Sequence, residues 1–213
     1  MEKEKALGER LSRFRSREIG LIGERIWRKY AVLVPIVDTK EGPCILFERR
    51  SHRLRKQPGE VSFPGGAIEG AESAEEAAVR ETCEELLISR RQIEVYGAGD
   101  IFLSPGNRRI DPFLGRLTDY RGEYSTDEVA YTFLAPIAEL RQITPEVYRN
   151  RINQLADETL PFDSIPRGRD YQWESGESIL LFYRWRKEII WGITARILQS
   201  SLELIDEYRL LEP

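Results

Sequence analysis

The sequence predicts one domain of the α/β type, with helices covering a mixed β-sheet. Runs rich in β-forming residues recur between helical segments instead of being segregated to one end of the chain, the pattern of helices laid on a sheet. Hydrophobic residues make up 41% and charged residues 32% of the chain, ordinary for a globular protein. At 213 residues it can bury one good core and carry a small appendage. No internal repeat or low-complexity linker divides it. The expected unit is therefore 1–213, with 1–22 a helical extension and 144–177 an irregular insertion.

Each element has its own signal. Leu7, Leu11 and Phe14 recur at i, i+4 and i+7 within 4–17, an amphipathic helix expected to pack on the core or on a second subunit, the latter making a homodimer. Tyr30 to Val37 and Cys44 to Phe47 are apolar and rich in β-formers, and Asp38-Thr39-Lys40-Glu41-Gly42-Pro43 between them reads as a hairpin turn. A tight turn at Pro64-Gly65-Gly66 leads into a helix over about 73–87. Strands are expected near 94–103, 110–118 and 129–135, and a short helix over Pro136 to Gln142 with proline in its first turn. Prolines, arginines and aromatics make 144–177 irregular, to be read as a lid, a dimer contact or a surface excursion. Ser178 to Trp185 reads as a further strand, and a helix from about Ile190 to Tyr208 closes the chain.

Composition excludes several functions. The net charge of −4 gives no bulk attraction to nucleic acid or to an anionic membrane. No apolar run reaches the roughly 18 residues that span a bilayer. The N-terminal MEKEKALGERLSRFRSREIG is too charged for a signal peptide, so a cytoplasmic protein is expected. Cys44 and Cys83 read as small core residues, and the single histidine, His52, has no serine-elbow motif nearby.

The chemistry concentrates in residues 59–88. At about 100° per residue, Glu81, Glu84 and Glu85 fall on one side of a helix. Carboxylates that close repel and raise one another's pKa. A hard divalent cation, Mg²⁺ or Mn²⁺, removes that cost by taking oxygen ligands, while a solvated acidic face is the plainer account. Arg80, one turn from Glu84, is placed to orient the cluster. The glycine turn upstream allows the backbone to approach an anion or to aim a carbonyl at a metal.

These residues resemble the Nudix box, G-x5-E-x7-R-E-U-x-E-E-x-G-U with U aliphatic, which is met by Gly66, Glu72, Arg80, Glu81, Glu84, Glu85 and Ile88. Thr82 replaces the first aliphatic residue. Leu87 replaces the final glycine, which suggests a changed helix exit with the helix running on a turn, because a left-handed cap costs a branched residue roughly 1–2 kcal/mol. The resemblance implies a Nudix-type α/β/α sandwich with a catalytic loop-helix-loop. It further implies Mg²⁺ or Mn²⁺ held by Glu81, Glu85, Glu84 (directly or through water) and the Gly66 carbonyl. The proton of the attacking water would go to Glu84 as first candidate or Glu128 as second.

The flank is similar to the signature of coenzyme A pyrophosphatases, L-L-T-x-R-[SA]-x3-R-x3-G-x3-F-P-G-G. Arg50, Ser51, Arg55, Gly59, Phe63, Pro64, Gly65 and Gly66 match in order, Leu46-Phe47-Glu48 stands in place of L-L-T, and Gln57 stands where histidine is frequent. Asp127-Glu128-Val129-Ala130 and Trp191-Gly192-Ile193-Thr194-Ala195 look like two later segments of that family. Arg49, Arg50, Arg53, Arg55 and Lys56 put five cations into eight residues, suited to the phosphates of coenzyme A or to a solvated surface. Arg108 and Arg109 are placed to assist or to lie exposed in a turn, and Gly192 is expected to permit close packing. The resemblance implies a small coenzyme A-like nucleotide substrate, with Arg50, Arg53, Arg55, Lys56 and Phe63 binding it and 3′,5′-ADP and 4′-phosphopantetheine as products. The alternatives are a Nudix hydrolase of ADP-ribose, NADH or another nucleoside diphosphate derivative, and a non-catalytic nucleotide-sensing module.

Overall fold

The computed structural model describes residues 2–17 and 20–211, residues 2–6 by their backbone alone. Met1, Glu18, Ile19, Glu212 and Pro213, inside the domain bounds expected from the sequence, lie outside the described residues. Eight strands form one mixed sheet: β1 (Arg28–Thr39), β2 (Gly42–Arg50), β3 (Val61–Ser62), β4 (Gly65–Ala67), β5 (Ile93–Ala98), β6 (Phe102–Ser104), β7 (Arg108–Leu117) and β8 (Val129–Pro136). Its main path runs β3-β2-β1-β7-β5, with β4 on β1, β6 on β7 and β8 on β2. Among the described residues only β1 and β7 run parallel, paired from Arg28↔Arg108 to Val37↔Leu117, and the expected hairpin joins β1 to β2 through Thr39↔Gly42.

Alternation along these strands sorts their side chains onto two faces. Ala31 and Leu33 of β1, Leu46 of β2 and Phe113 of β7 pack with Ala77, Ala78 and Leu86 of helix α2 (Ala74–Leu86). On the opposite face Val34, Ile36, Ile45, Phe47 and Leu114 meet Ile197, Leu198 and Leu202 of the long C-terminal helix (Gly192–Glu207). The sheet is thus sandwiched between helices, as the sequence suggests.

A second, three-stranded antiparallel sheet was not foreseen. Residues 146–153, inside the segment read as irregular, form strand β9 (Glu146–Asn153), which pairs with β10 (Ser175–Trp185), which in turn pairs with β11 (Glu188–Trp191). The strand β9 is exposed along almost its whole length, so it lacks the alternating burial that marks a strand in sequence. Because β11 occupies 188–191, the last helix, α4, begins at Gly192 after a short helix α3 (Ile137–Leu140) earlier in the chain. Gly192 has φ +63° and nothing within 4 Å of where a Cβ would stand, so the glycine serves the backbone turn and not close packing.

The N-terminal helix α1 (Glu2–Arg15) does not join the core: Leu7, Leu11 and Phe14 are all exposed. Helix α2 does not run on past the box. Leu87 itself adopts the left-handed conformation at φ 52°, ψ 39° and closes the helix through its N–H to the Cys83 carbonyl. The geometry normally given to glycine is kept, at a cost of roughly 1–2 kcal/mol. At the other end Ser73 and Glu76 form a reciprocal capping box, Glu76 N–H to Ser73 Oγ at 3.2 Å and Ser73 N–H to Glu76 Oε2 at 2.8 Å.

Candidate active site

The turn that sets up the site leaves no room for a Cβ as it stands. A Cβ on Gly65 would lie 2.3 Å from the Ala31 carbonyl oxygen, at a φ of +151°, and one on Gly66 would lie 2.3 Å from Glu81 Oε1. The first glycine lets β4 press onto β1, and the second seats backbone directly against a carboxylate. Glu85 reaches the same turn from the next helical row, its Oε2 accepting the Gly65 N–H at 2.8 Å.

Arg80 organises the exposed side of the cluster. Its guanidinium donates to both oxygens of Glu72 at 2.8 and 3.1 Å, to Glu81 Oε1 at 2.8 Å and to the Ala67 carbonyl at 3.2 Å, with Glu84 at 3.6 Å. The clamp on Glu72, itself tied back to the Glu69 N–H, locks the loop before α2 to the helix. Glu84 is the open member of the box, its side chain 62% exposed. Thr82, in an aliphatic place, is fully buried and spends its hydroxyl on the Ala78 carbonyl at 2.7 Å, so it packs without an unmet polar group.

Electrostatics single out the buried carboxyls. Burial first, then the charge of Glu48, pushes Glu85 up to about 9, and burial lifts Glu48 to about 7 against a hydrogen bond from Ser62. Burial also raises Glu81, against the pull of Arg80. The charge of Glu128 adds to the rise of all three, so the exposed acid at the start of β8 bears on the cluster, and its carbonyl accepts the Ser51 N–H at 2.7 Å. Glu48 was not foreseen as a site residue. The signal was present, an acid in an apolar strand run where the flanking pattern has threonine.

Among the described residues no three acids, thiols or imidazoles already form a closed cage: Arg80 holds Glu81 and the Gly65 N–H holds Glu85. The donor set still fits a hard cation. Its side chains are all carboxylates, mutual repulsion and burial disfavour their charge, and one buried Glu48 oxygen has no partner. Cys83 does not compete, since burial pushes its thiol up and away from reactive thiolate.

Beside the turn, on the α4 side of the sheet, lies a cavity of about 430 Å³. Cations Arg28, Arg50, Lys56 and Arg108 line it together with Glu60, over an apolar wall that includes Val32, Phe63, Ile110, Ile193 and Ile197. None of the four cations is ion-paired with a described residue, whereas a larger cavity of about 700 Å³ nearby has Arg109 already bound to Asp111 at 2.9 Å and to Glu24 at 3.0 Å. The smaller one is therefore the better anion site. It takes in Arg50, Lys56 and Phe63 of the expected binding residues and adds Arg28 and Arg108. Arg53 and Arg55 stand outside its lining, both exposed, with Arg53 3.9 Å from Asp127. Arg49 is spent elsewhere, paired with Glu188 and donating to Tyr131 at 3.2 Å and to the Gly59 carbonyl at 2.7 Å. Phe63 is buried and stacked on Phe47 at 5.0 Å, forming wall and not an exposed platform.

Carboxylates gathered at a glycine turn beside a cation-lined cavity equip an enzyme that handles a polyanion. The family model described as NUDIX domain matches residues 27–181. The Nudix hydrolase NudL of Citrobacter koseri is 31% identical over 198 residues, 91% of this chain and 92% of its own. Nudix hydrolase 3 of Caenorhabditis elegans is 25% identical over 181 residues, 83% of this chain and 72% of its own. A solved MutT/nudix family protein from Enterococcus faecalis shares the fold at a TM-score of 0.50 and 14% identity, over 94% of this chain and 70% of that one. The chain belongs to the Nudix hydrolases. It is an enzyme that hydrolyses pyrophosphate bonds in small nucleotide substrates, in a family that works with divalent metal ions. Among the described residues, no helix is long and apolar enough to cross a membrane.

Proposed function

We propose that the enzyme cleaves the pyrophosphate of coenzyme A or an acyl derivative, in the cytoplasm, giving 3′,5′-ADP and 4′-phosphopantetheine or its acyl form. One observation carries this reading: two segments that resemble coenzyme A pyrophosphatases, the run from Arg50 to Gly66 and the Ile193-Thr194 start of α4, border the same cavity. They are tied there by Thr194 Oγ1 donating to the Val61 carbonyl at 3.0 Å. Coenzyme A carries a diphosphate and a ribose 3′-phosphate, and four unpaired cations over an apolar wall suit such a ligand.

Glu81, Glu84, Glu85 and the Gly66 carbonyl would hold Mg²⁺ or Mn²⁺, which when bound neutralises the diphosphate and acidifies the attacking water. The chain's own groups do the rest. Arg80 keeps Glu81 and Glu84 in place, and Glu84, on the open side, accepts the proton of the water. Glu128 is the second candidate for that proton. Lys56, Arg28, Arg108 and Arg50 draw in the phosphates, and the apolar wall around Phe63 packs against the uncharged parts of the substrate. The exposed Leu7, Leu11 and Phe14 of α1 would supply the surface for a homodimer, the second of the two placements the sequence allows, which an oligomeric-state measurement checks.

The test is hydrolysis of coenzyme A, 3′-dephospho-coenzyme A, ADP-ribose and NADH with Mg²⁺ or Mn²⁺, with products identified by mass. Preference for coenzyme A with release of 4′-phosphopantetheine supports the reading. Preference for ADP-ribose or NADH replaces the substrate and keeps the chemistry.

A further inference from the structure

Glu48 lies deep in the site yet belongs to neither the Nudix box nor the flanking pattern, which places threonine there. It sits on β2 between Phe47, which packs on the α4 face, and Arg49, and alternation puts it with Leu46 on the α2 face. It is 1% exposed. Its Oε1 accepts the Ser62 hydroxyl at 2.9 Å across the β2–β3 pair, where Glu48 and Ser62 stand opposite each other. Its Oε2 is buried with no hydrogen-bond partner.

Such an orphan oxygen is uncommon, because a buried carboxylate without donors is strongly disfavoured. A proton on Oε2 would remove the charge yet leave that oxygen without a donor to accept from. The neighbouring acids make an anionic partner worse: Glu85 hangs from the Gly65 N–H, three residues beyond Ser62 on the same stretch of backbone, and the charges of Glu81 and Glu128 also bear on Glu48. The adjacent Arg49 is turned away to Glu188 and Tyr131. What a buried, partnerless oxygen among carboxylates accepts is a positive charge.

We propose that Glu48 is an additional metal ligand, its Oε2 and the Glu85 carboxylate jointly holding a divalent cation at the back of the box. Ser62 and Gly65 act as fixed posts, each binding one oxygen of a carboxylate and leaving the other to the ion. The assignment rests on the metal-dependent reading of the box. It extends that reading to a residue on the sheet, where it couples the position of α2 to that of β2.

The experiment is a Mn²⁺ titration of the metal-free protein without substrate, followed by electron paramagnetic resonance and calorimetry, on the wild type, Glu48→Gln and Glu48→Asp. Glu48→Gln is expected to lose one equivalent of bound Mn²⁺ or to weaken one site at least tenfold, and to lose most of the Mn²⁺-induced rise in Tm. Its metal-free Tm should equal or exceed that of the wild type, because the buried charge is gone. Glu48→Asp, which keeps the carboxylate but withdraws it by a methylene, should fall between the two, and it carries the test if the glutamine variant fails to fold. Unchanged stoichiometry and affinity in Glu48→Gln overturns this assignment alone. Absence of Mn²⁺ binding by the wild type overturns it together with the metal-dependent reading of Glu81 and Glu85.

Discussion

Replacing Glu85 by glutamine should stabilise the metal-free protein at alkaline pH while removing its chemistry. Glu85 is 3% exposed, and burial with the charge of Glu48 moves its carboxyl from the ordinary 4.5 to about 9. A carboxyl raised in the folded state binds its proton more tightly there than in the unfolded chain. Its contribution is therefore fully present below 4.5 and is lost as pH climbs towards 9. At pH 8 the ceiling on that loss is about 5 kcal/mol, from roughly 1.4 kcal/mol per pH unit. Relaxation and water entry around two coupled acids should leave about 2 kcal/mol of it. Glutamine keeps the acceptor for the Gly65 N–H and sheds the charge. Urea denaturation in the presence of a chelator should show Glu85→Gln about 2 kcal/mol more stable than wild type at pH 8 and nearly equal at pH 5. A variant less stable than wild type at pH 8, or shifted equally at both values, would refute the reasoning.

The two turn glycines should separate folding from chemistry. Gly65→Ala meets backbone of Ala31 and Val32 and should cost about 3 kcal/mol or more in denaturant melts. Gly66→Ala meets only the movable Glu81 carboxylate, so kcat should fall at least tenfold with Tm nearly kept. Glu81→Gln should lower turnover by about 10²-fold or more with the fold intact by circular dichroism, as expected for a lost metal ligand. Leu87→Gly relieves a left-handed leucine that is 60% exposed and should stabilise by about 0.5–1 kcal/mol in the same melts. Lys56→Ala and Arg108→Ala should raise KM for coenzyme A several-fold, and Arg55→Ala, outside the cavity, should change it less.

The sequence made the carboxylate-bearing side of the site readable because helical spacing is local. Glu81, Glu84, Glu85 and their clamp Arg80 share one helix, and the turn that feeds it lies immediately upstream. The β1–β2 hairpin was equally plain from its apolar runs and turn. What escaped depends on pairing between distant segments. Glu48 enters the site because β2 lies beside β3 and across from α2, and Arg28 reaches the cavity because β1 and β7 run parallel with Arg28 opposite Arg108. The run of five cations looked like one site, yet strand alternation and loop geometry send Arg49 to Glu188, leave Arg53 and Arg55 exposed, and bring Arg50 and Lys56 to the cavity. The strand β9 was missed for a different reason: exposed on both faces, it has no hydrophobic alternation to read. Leu87 shows the limit of residue preference, since the cap geometry outlasted the loss of glycine.

The hydrogen bond from Thr194 to the Val61 carbonyl joins two parts of the chain with different tasks. The carboxylates hang on α2 and the glycine turn, within the stretch matched by the family model, while Ile193 and Ile197, which wall the cavity, lie past residue 181 where that match ends. Part of the cavity wall is thus supplied from outside the stretch that carries the carboxylates and the lining cations. Changes to the first turns of α4 should therefore re-shape one wall of the cavity while leaving the carboxylates of α2 in place.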